Sequence, residues 1–382
     1  MNKVGLITYY GENYGGMLQA YALQKCVNEL GYDCKLVSNE FLFANKTGGK
    51  KASITSKIKR ILKNPYKSIK KSYAMRKSAF ERSLNKQKFR EFRELYLEID
   101  DTGYHNYEQY VSNPPMYDTY LCGSDQIWNP NLYNENGFYF ADFAPENATR
   151  ISYASSVGVS TVTEEQADFM KPFLDKMDVL STRETSGSKI VAGLTGKEVR
   201  TVIDPTLLLN AEQWSDVASG RLIDGDYVFF YFFSERDYIK MVKQKIKKLT
   251  GIKTVCIPYV AREIIDKDIK IFDAGPAEFI SLIKNASLVV TDSFHATAFS
   301  INLKVPFLSL CRFGKDDSES MNSRLDTLLG ALDLKERLIE KDDVITKNML
   351  FDVDFDSVHE KLDRLREQDR SFLEKSLKYQ RN

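Results

Sequence analysis

Leu288-Val289-Val290-Thr291-Asp292-Ser293-Phe294-His295-Ala296-Thr297-Ala298-Phe299-Ser300 runs from a strand-forming stretch, through a short polar turn, straight into a helical one. A buried strand that hands over at once to a helix is the unit of an open α/β sheet, where ligands bind beyond the carboxyl ends of the strands. Helix N-termini there present N–H groups and the positive end of a dipole, which suits a phosphate or carboxylate. Asp292 or Ser293 is expected to cap the helix, and His295 to sit in its first turn. An imidazole with an ordinary pKa of ~6.5 can transfer protons near neutral pH. His295 is one of three histidines. The others, His105 and His359, have no strand-end setting and are expected at the surface.

The same rhythm extends outward in both directions. Residues 3–8 read as a strand, 10–16 as a loop and 17–30 as a helix with Leu18, Tyr21, Ala22, Leu23 and Val27 on its apolar positions; Gly31 stops it and 34–37 form the next strand. Further strands are expected at 117–122, 151–155, 179–182 and 199–203, with a helix over 164–177. The second half repeats the pattern, with strands at 227–233, 253–257, 287–291 and 306–310 alternating with helices at 236–249, 276–284, 294–302 and 322–329. An amphipathic helix over 356–378 closes the chain. The predicted class is α/β, with two Rossmann-like domains. The first spans 1–215 and carries a basic helical insertion at about 40–100; the second spans 220–345; the helix at 355–380 packs back on the body.

A chain of 382 residues exceeds what one core usually supports, so two domains are expected on length as well. With 43% hydrophobic and 28% charged residues it has an ordinary globular composition. No apolar run approaches the ~20 residues of a membrane helix, and the N-terminal residues enter a strand without a secretory apolar region. A cytoplasmic location is the expectation. The five cysteines are scattered, without a CxxC or Cys/His cluster, so neither a zinc site nor a disulfide framework is expected. The D-x-D pairs Asp224/Asp226, Asp266/Asp268 and Asp352/Asp354 fall in turns of a Lys/Asp-rich chain and read as turn residues before metal ligands.

The net charge of +1 hides an asymmetry. Residues 46–93 hold 17 Lys and Arg against Glu81 and Glu91, so this stretch carries +15 and the remainder −14. A nucleic-acid partner is not expected for the acidic body. Within the stretch, Ile54, Ile58, Ile61 and Leu62 recur at helical spacing among lysines. That pattern suits an apolar stripe packed on the protein's own sheet, the favoured reading, or peripheral contact with an anionic inner membrane.

Three other groups of residues carry chemistry. Gly15 and Gly16, after Tyr14, let backbone approach a ligand closely. Asp125 and Gln126, in the turn Gly123-Ser124-Asp125-Gln126-Ile127-Trp128-Asn129, can bond sugar hydroxyls. Arg183, Arg312 and Arg324 flank predicted strands, and guanidinium forks match carboxylates and phosphates.

Four stretches, taken in order, resemble the polysaccharide pyruvyl transferase family. They are Asn13-Tyr14-Gly15-Gly16 with Leu18 to Leu23, the Gly123–Asn129 turn, Asp204-Pro205-Thr206 with the leucines after it, and Thr291-Asp292-Ser293-Phe294-His295 with Ala298-Phe299-Ser300. The resemblance covers about residues 3–330. It implies a GT-B-like arrangement of the two domains, with the acceptor on the first and the donor on the second. It also implies transfer of an enolpyruvyl unit from phosphoenolpyruvate to a sugar or lipid-linked oligosaccharide, giving a pyruvate ketal and phosphate. No cofactor or metal is implied; phosphoenolpyruvate is a substrate. The family histidine maps onto His295. Better-understood branches place an arginine two residues before it, where this chain has Ser293, so either Arg312 or Arg324 takes over the donor anion or the donor differs. The competing classes are a nucleotide-sugar glycosyltransferase on the same fold and a non-catalytic glycan-assembly protein.

Overall fold

The core strands bury both faces, which is why they read as continuous apolar runs rather than as alternating ones. The computed structural model describes residues 2–44, 83–132, 135–234, 236–259, 263–264, 266–312 and 323–379. Strands β1 (Lys3–Ile7), β2 (Asp33–Val37), β3 (Ile99–Asp100), β4 (Thr119–Cys122) and β5 (Thr149–Ser152) form a parallel sheet in the order β3-β2-β1-β4-β5. β6 (Leu180–Thr182) and β7 (Val199–Thr201) pair with each other and join this sheet through the bridges Ile151–Val179 and Ser155–Thr182. The second sheet contains β8 (Tyr227–Tyr231), β9 (Lys253–Cys256), β10 (Ile269–Lys270), β11 (Leu288–Thr291), β12 (Phe307–Leu310) and β13 (Leu338–Ile339). Its order is β10-β9-β8-β11-β12-β13, again parallel throughout. Both sheets place their first strand between their second and fourth, the doubly wound order. The α/β class with two Rossmann-like sheets is therefore as expected, and the sheets face a common cleft as in a GT-B arrangement.

Local chemistry sets the boundaries. The helix expected from Met17 starts at Tyr14, because the Asn13 side chain accepts from Gly16 N at 3.0 Å and caps it there. Tyr14, Gly15 and Gly16 are thus its first turn and not a loop. The strand expected to reach Phe233 ends at Tyr231, since Phe233 N and Ser234 N turn away to donate to the Asp292 carboxylate at 2.8 and 3.0 Å. The strand expected over 151–155 lies at Thr149–Ser152. Of the basic stretch, residues 83–96 are helical; the amphipathic run at 54–73, with the membrane contact expected of it, falls outside the described residues. Among the described residues no helix is long and apolar enough to cross a membrane.

The helix Phe355–Leu377 locks the two halves together. Asp369 accepts from Ile203 N (2.8 Å) and pairs with Arg200 (3.1 Å), both after or within β7. Arg366 donates to Leu207 O (2.6 Å) and to the Asn302 side chain (2.7 Å). Asn302, at the end of the second-sheet helix Phe294–Asn302, donates in turn to Thr206 O and Leu209 O at 3.0 and 2.8 Å. This fully buried amide joins the turn after β7, the helix after β11 and the closing helix. Asn302→Ala takes a donor from each carbonyl, Thr206 O keeping Trp214 Nε1 at 2.9 Å, and deprives Arg366 of its acceptor on the Asn302 amide, so we expect it to cost about 1–3 kcal/mol, read as a lower denaturant midpoint for the chain.

Candidate functional site

In a doubly wound sheet the crevice opens where strand order reverses, between the first and fourth strands. Here those points are β1/β4 and β8/β11, and their loops meet. The cleft encloses about 130 Å³. Asn13, Tyr14 and Gly15 line it after β1, and Asp125 and Gln126 after β4. Tyr231 and Phe233 line it after β8, Ser293, Phe294 and His295 after β11, and Arg312 after β12; Phe279 and Arg324 complete it from helices. Eight of the expected site residues are therefore brought together: Tyr14, Gly15, Asp125, Gln126, Ser293, His295, Arg312 and Arg324.

Ser293 is the N-cap of the helix carrying His295, its side chain accepting from Ala296 N. His295 is 8% exposed and lies across the first turn of the helix Tyr14–Glu29. A Cβ added to Gly15 would stand 2.0 Å from His295 Nδ1, so glycine is required there for the close approach and not for its torsion angles. Gly16 plays the matching part toward Tyr9, whose ring a Cβ would meet at 2.5 Å. Two helix N-termini, one from each half, thus converge on the cleft.

Beneath His295 sits a buried charge network. Arg183 Nη1 is 2.6 Å from Asp204 Oδ2 and 3.4 Å from His295 Nε2, and His295 Nε2 is 3.6 Å from the same carboxylate oxygen. Asp204 also accepts from Ser124 Oγ (3.0 Å), Thr206 N (2.9 Å) and Thr206 Oγ1 (2.7 Å). Burial alone would raise the Asp204 carboxyl, but Arg183, then His295 and Thr206, hold it far below the usual carboxylate range. Arg183 extends its other amino group to within 3.5 Å of Asp125. Asp125 adopts φ 68°, the left-handed region that a non-glycine residue enters at a cost. Its carboxylate is thereby aimed at the cleft from the end of β4.

Not every expected ligand residue reaches the surface of the cleft. Arg183 is committed to Asp204 below it, and Gly16 backs onto Tyr9. Asp292 is turned inward onto Phe233 N and Ser234 N; burial pushes its carboxyl up against the opposing pull of Arg312 and these donors. The Tyr14 hydroxyl donates to Ala274 O at 2.7 Å while its ring stacks on Phe279, 4.6 Å between centroids, so it ties the halves together. His359, expected at the surface, is half-buried with Nε2 2.9 Å from Ile301 O. Of the D-x-D pairs, Asp266 and Asp268 are held by Lys243 at 2.9 and 2.5 Å. Asn13, Asp204 and Phe294 lie in the family-like stretches without a site role having been expected of them, and Tyr231, Phe233 and Phe279 of the aromatic wall were not expected at all. Asp204 had a local signal in the cap sequence Asp-Pro-Thr at a strand end, and Asn13 in its being a preferred helix-capping residue.

The arginines differ in how far their charge is met. Arg312 donates to Asp292 O (2.9 Å), faces its carboxylate at 3.6 Å and lies over the Phe233 ring at 4.8 Å. Arg324, 8% exposed, makes no ion pair among the described residues and leaves its buried Nε without an acceptor. Burial, then the charge of nearby Arg183, pull it down to about 10. A cation so placed calls for an anion in the cleft.

The polysaccharide pyruvyl transferase profile matches residues 13–310, which hold every cleft residue except Arg312 and Arg324. The chain belongs to the polysaccharide pyruvyl transferase family. No curated protein matches it. Among solved structures, UDP-GlcNAc 2-epimerase from Methanocaldococcus jannaschii aligns at 10% identity over 94% of this chain and 92% of its own, with a TM-score of 0.44. The Streptomyces sp. SF2575 glycosyltransferase SsfS6, complexed with thymidine diphosphate, aligns at 13% identity over 97% and 96%, with a TM-score of 0.40. In this pyruvyl transferase family member the two parallel sheets themselves, and not these likenesses, carry the fold.

Asp204→Asn in this family member leaves a guanidinium whose side chain is 1% exposed facing a neutral amide. Breaking one side of a buried pair costs about 3–5 kcal/mol. Because the folded carboxyl is depressed, its stabilisation is complete above the unfolded pKa of ~3.9 and declines as pH falls further. Denaturant unfolding between neutral pH and pH 3 should show a less stable variant at neutrality, with a shallower loss of stability in acid than the parent chain.

Proposed function

We propose that the chain transfers a pyruvyl group from phosphoenolpyruvate to a sugar of a cell-envelope or exopolysaccharide glycan, closing a pyruvate ketal across two hydroxyls. The observation that carries this reading is Arg324, a buried guanidinium with no carboxylate partner among the described residues, set in the cleft with His295 and the helix capped by Ser293. A small ligand bearing both carboxylate and phosphate would meet Arg324, Arg312 and two helix N-termini. The arginine that other branches place before the histidine is then supplied from Arg324 and Arg312 in space.

In the proposed reaction His295 delivers a proton to the methylene carbon of the donor, leaving an oxocarbenium-like centre at the neighbouring carbon. A sugar hydroxyl adds there and loses its proton, the carbon–oxygen bond to phosphate breaks, and a second hydroxyl closes the ketal while its proton leaves with the phosphate. The protein's tasks are to hold donor and acceptor together, worth up to ~7–11 kcal/mol in favourable geometry, and to keep an acid and cations around the donor. We take the cationic charge of the arginines to fill the place a metal ion would otherwise occupy. Arg183 and Asp204 fix the His295 ring from below.

Incubation with phosphoenolpyruvate and a panel of glycosides should release phosphate; release of UDP or GDP from nucleotide sugars instead would replace this reading by glycosyl transfer. His295→Ala should retain the fold and lose about 10²–10⁴-fold in turnover at saturating substrates. A near-normal rate would remove the acid role. Arg324→Ala should raise the apparent KM for phosphoenolpyruvate with little change in that for the acceptor. Unchanged donor affinity in both Arg324→Ala and Arg312→Ala would end the assignment of the anion site.

A further inference from the structure

Phe294 is the first residue of the helix that carries His295, between the Ser293 cap and the imidazole. The turn that holds it is fixed on both sides. Ser293 N donates to Thr291 Oγ1 at 3.0 Å, and Thr297 Oγ1 donates to Ser293 O at 3.0 Å. The Phe294 ring lines the cleft and is 6% exposed. Three functional groups meet on it. The Arg183 guanidinium carbon lies over the ring at 4.5 Å from its centroid, and that of Arg324 at 5.9 Å. The His295 ring makes a T-shaped contact with it, 5.2 Å between centroids. The two arginines come from different halves, Arg183 from the end of β6 and Arg324 from the helix Ser323–Ala331. A second ring repeats the arrangement, with Arg312 over Phe233 at 4.8 Å and Phe233 N anchored on Asp292.

Cations gathered this closely repel, and Arg183 and Arg312 both oppose the charge of Arg324. A ring face attracts a cation through its quadrupole, most strongly where water is excluded. It does so without cancelling the charge or occupying the donors of the guanidinium fork, as a carboxylate would. Arg183 spends Nη1 on Asp204 and turns Nη2 toward Asp125. Between that anchored guanidinium and Arg324 the shared contact is the Phe294 ring.

We propose that Phe294 is a positioning residue of the anion site: its ring holds the Arg324 guanidinium near Arg183 and His295 while leaving the charge of Arg324 for a bound phosphate or carboxylate. The proposal rests on the anion site assigned above and adds what keeps its cations together.

Fluorination of the ring tests it, because each fluorine drains the negative face while changing the ring's size little. The full chain is made with mono-, di- or trifluorinated phenylalanine at position 294, and dissociation constants are measured by calorimetric titration with phosphoenolpyruvate, UDP and inorganic phosphate. Affinity for phosphoenolpyruvate should fall stepwise along the series, by about tenfold at the trifluorinated ring. Phe294→Leu, which stays apolar but has no ring face, should lose at least as much. The same series at Phe299, farther along the helix against Trp214, should bind as the parent chain does. Affinity that is flat across the series at 294, or that falls equally in both series, overturns the role of the ring and leaves the donor assignment standing. A stepwise loss for UDP or phosphate, in a chain that binds no phosphoenolpyruvate, supports the ring and sinks the donor assignment alone. A chain that binds none of the three overturns both.

Discussion

The buried pair between Arg183 and Asp204 is the constraint around which the cleft is organised. Asp204 is at once the cap of the Pro205–Leu208 turn, the acceptor of Ser124 and the counter-ion of Arg183, so three strand-end loops of the first half are fixed on one carboxylate. His295 from the second half closes on the same oxygen. A pair this deep gains stability only if its remaining lone pairs and protons are met, and the hydroxyls and N–H groups around Asp204 meet them. What it gives is position: the imidazole stands against a fixed charge, with Gly15 backbone across its other side.

How that imidazole is held explains why the two halves cannot drift apart in register. Tyr14 binds Ala274, Lys88 reaches Glu278 at 3.0 Å, and Asn302 reaches back under the turn after β7. Each contact joins the first sheet to the second, and each lies close to a strand-end loop of the cleft. The aromatic contacts of Tyr14 with Phe279 and Tyr231 pack apolar rings across the same junction.

Much of this was legible in the sequence because parallel strands announce themselves. Stretches such as Leu288–Thr291, buried on both faces, leave an unbroken apolar signal, and the glycines, caps and polar turns that follow them mark the ends where ligands bind. Eight cleft residues could be named from that logic alone. The rest depended on contacts distant in sequence. Nothing local to Asp204 says that Arg183 will face it, and nothing in Tyr14 says that its hydroxyl will be spent on Ala274. Gly15 and Gly16 read as part of a loop, since two glycines weaken a helix start; the Asn13 cap and the close approach of His295 and Tyr9 to their missing side chains decide otherwise. Boundaries moved for equally concrete reasons, as where Asp292 draws the end of β8 aside.

The distribution of these contacts also bears on how the cleft works. An opening that separated the sheets would break the contacts of Asn302, Tyr14 and His295–Asp204 together, exchanging each for water. Among the described residues Arg324 makes no ion pair and leaves its buried Nε unmet, so its desolvation is a cost carried by the fold itself. On the reading proposed above, an anion entering the cleft would meet that cation on residues the fold already holds in place.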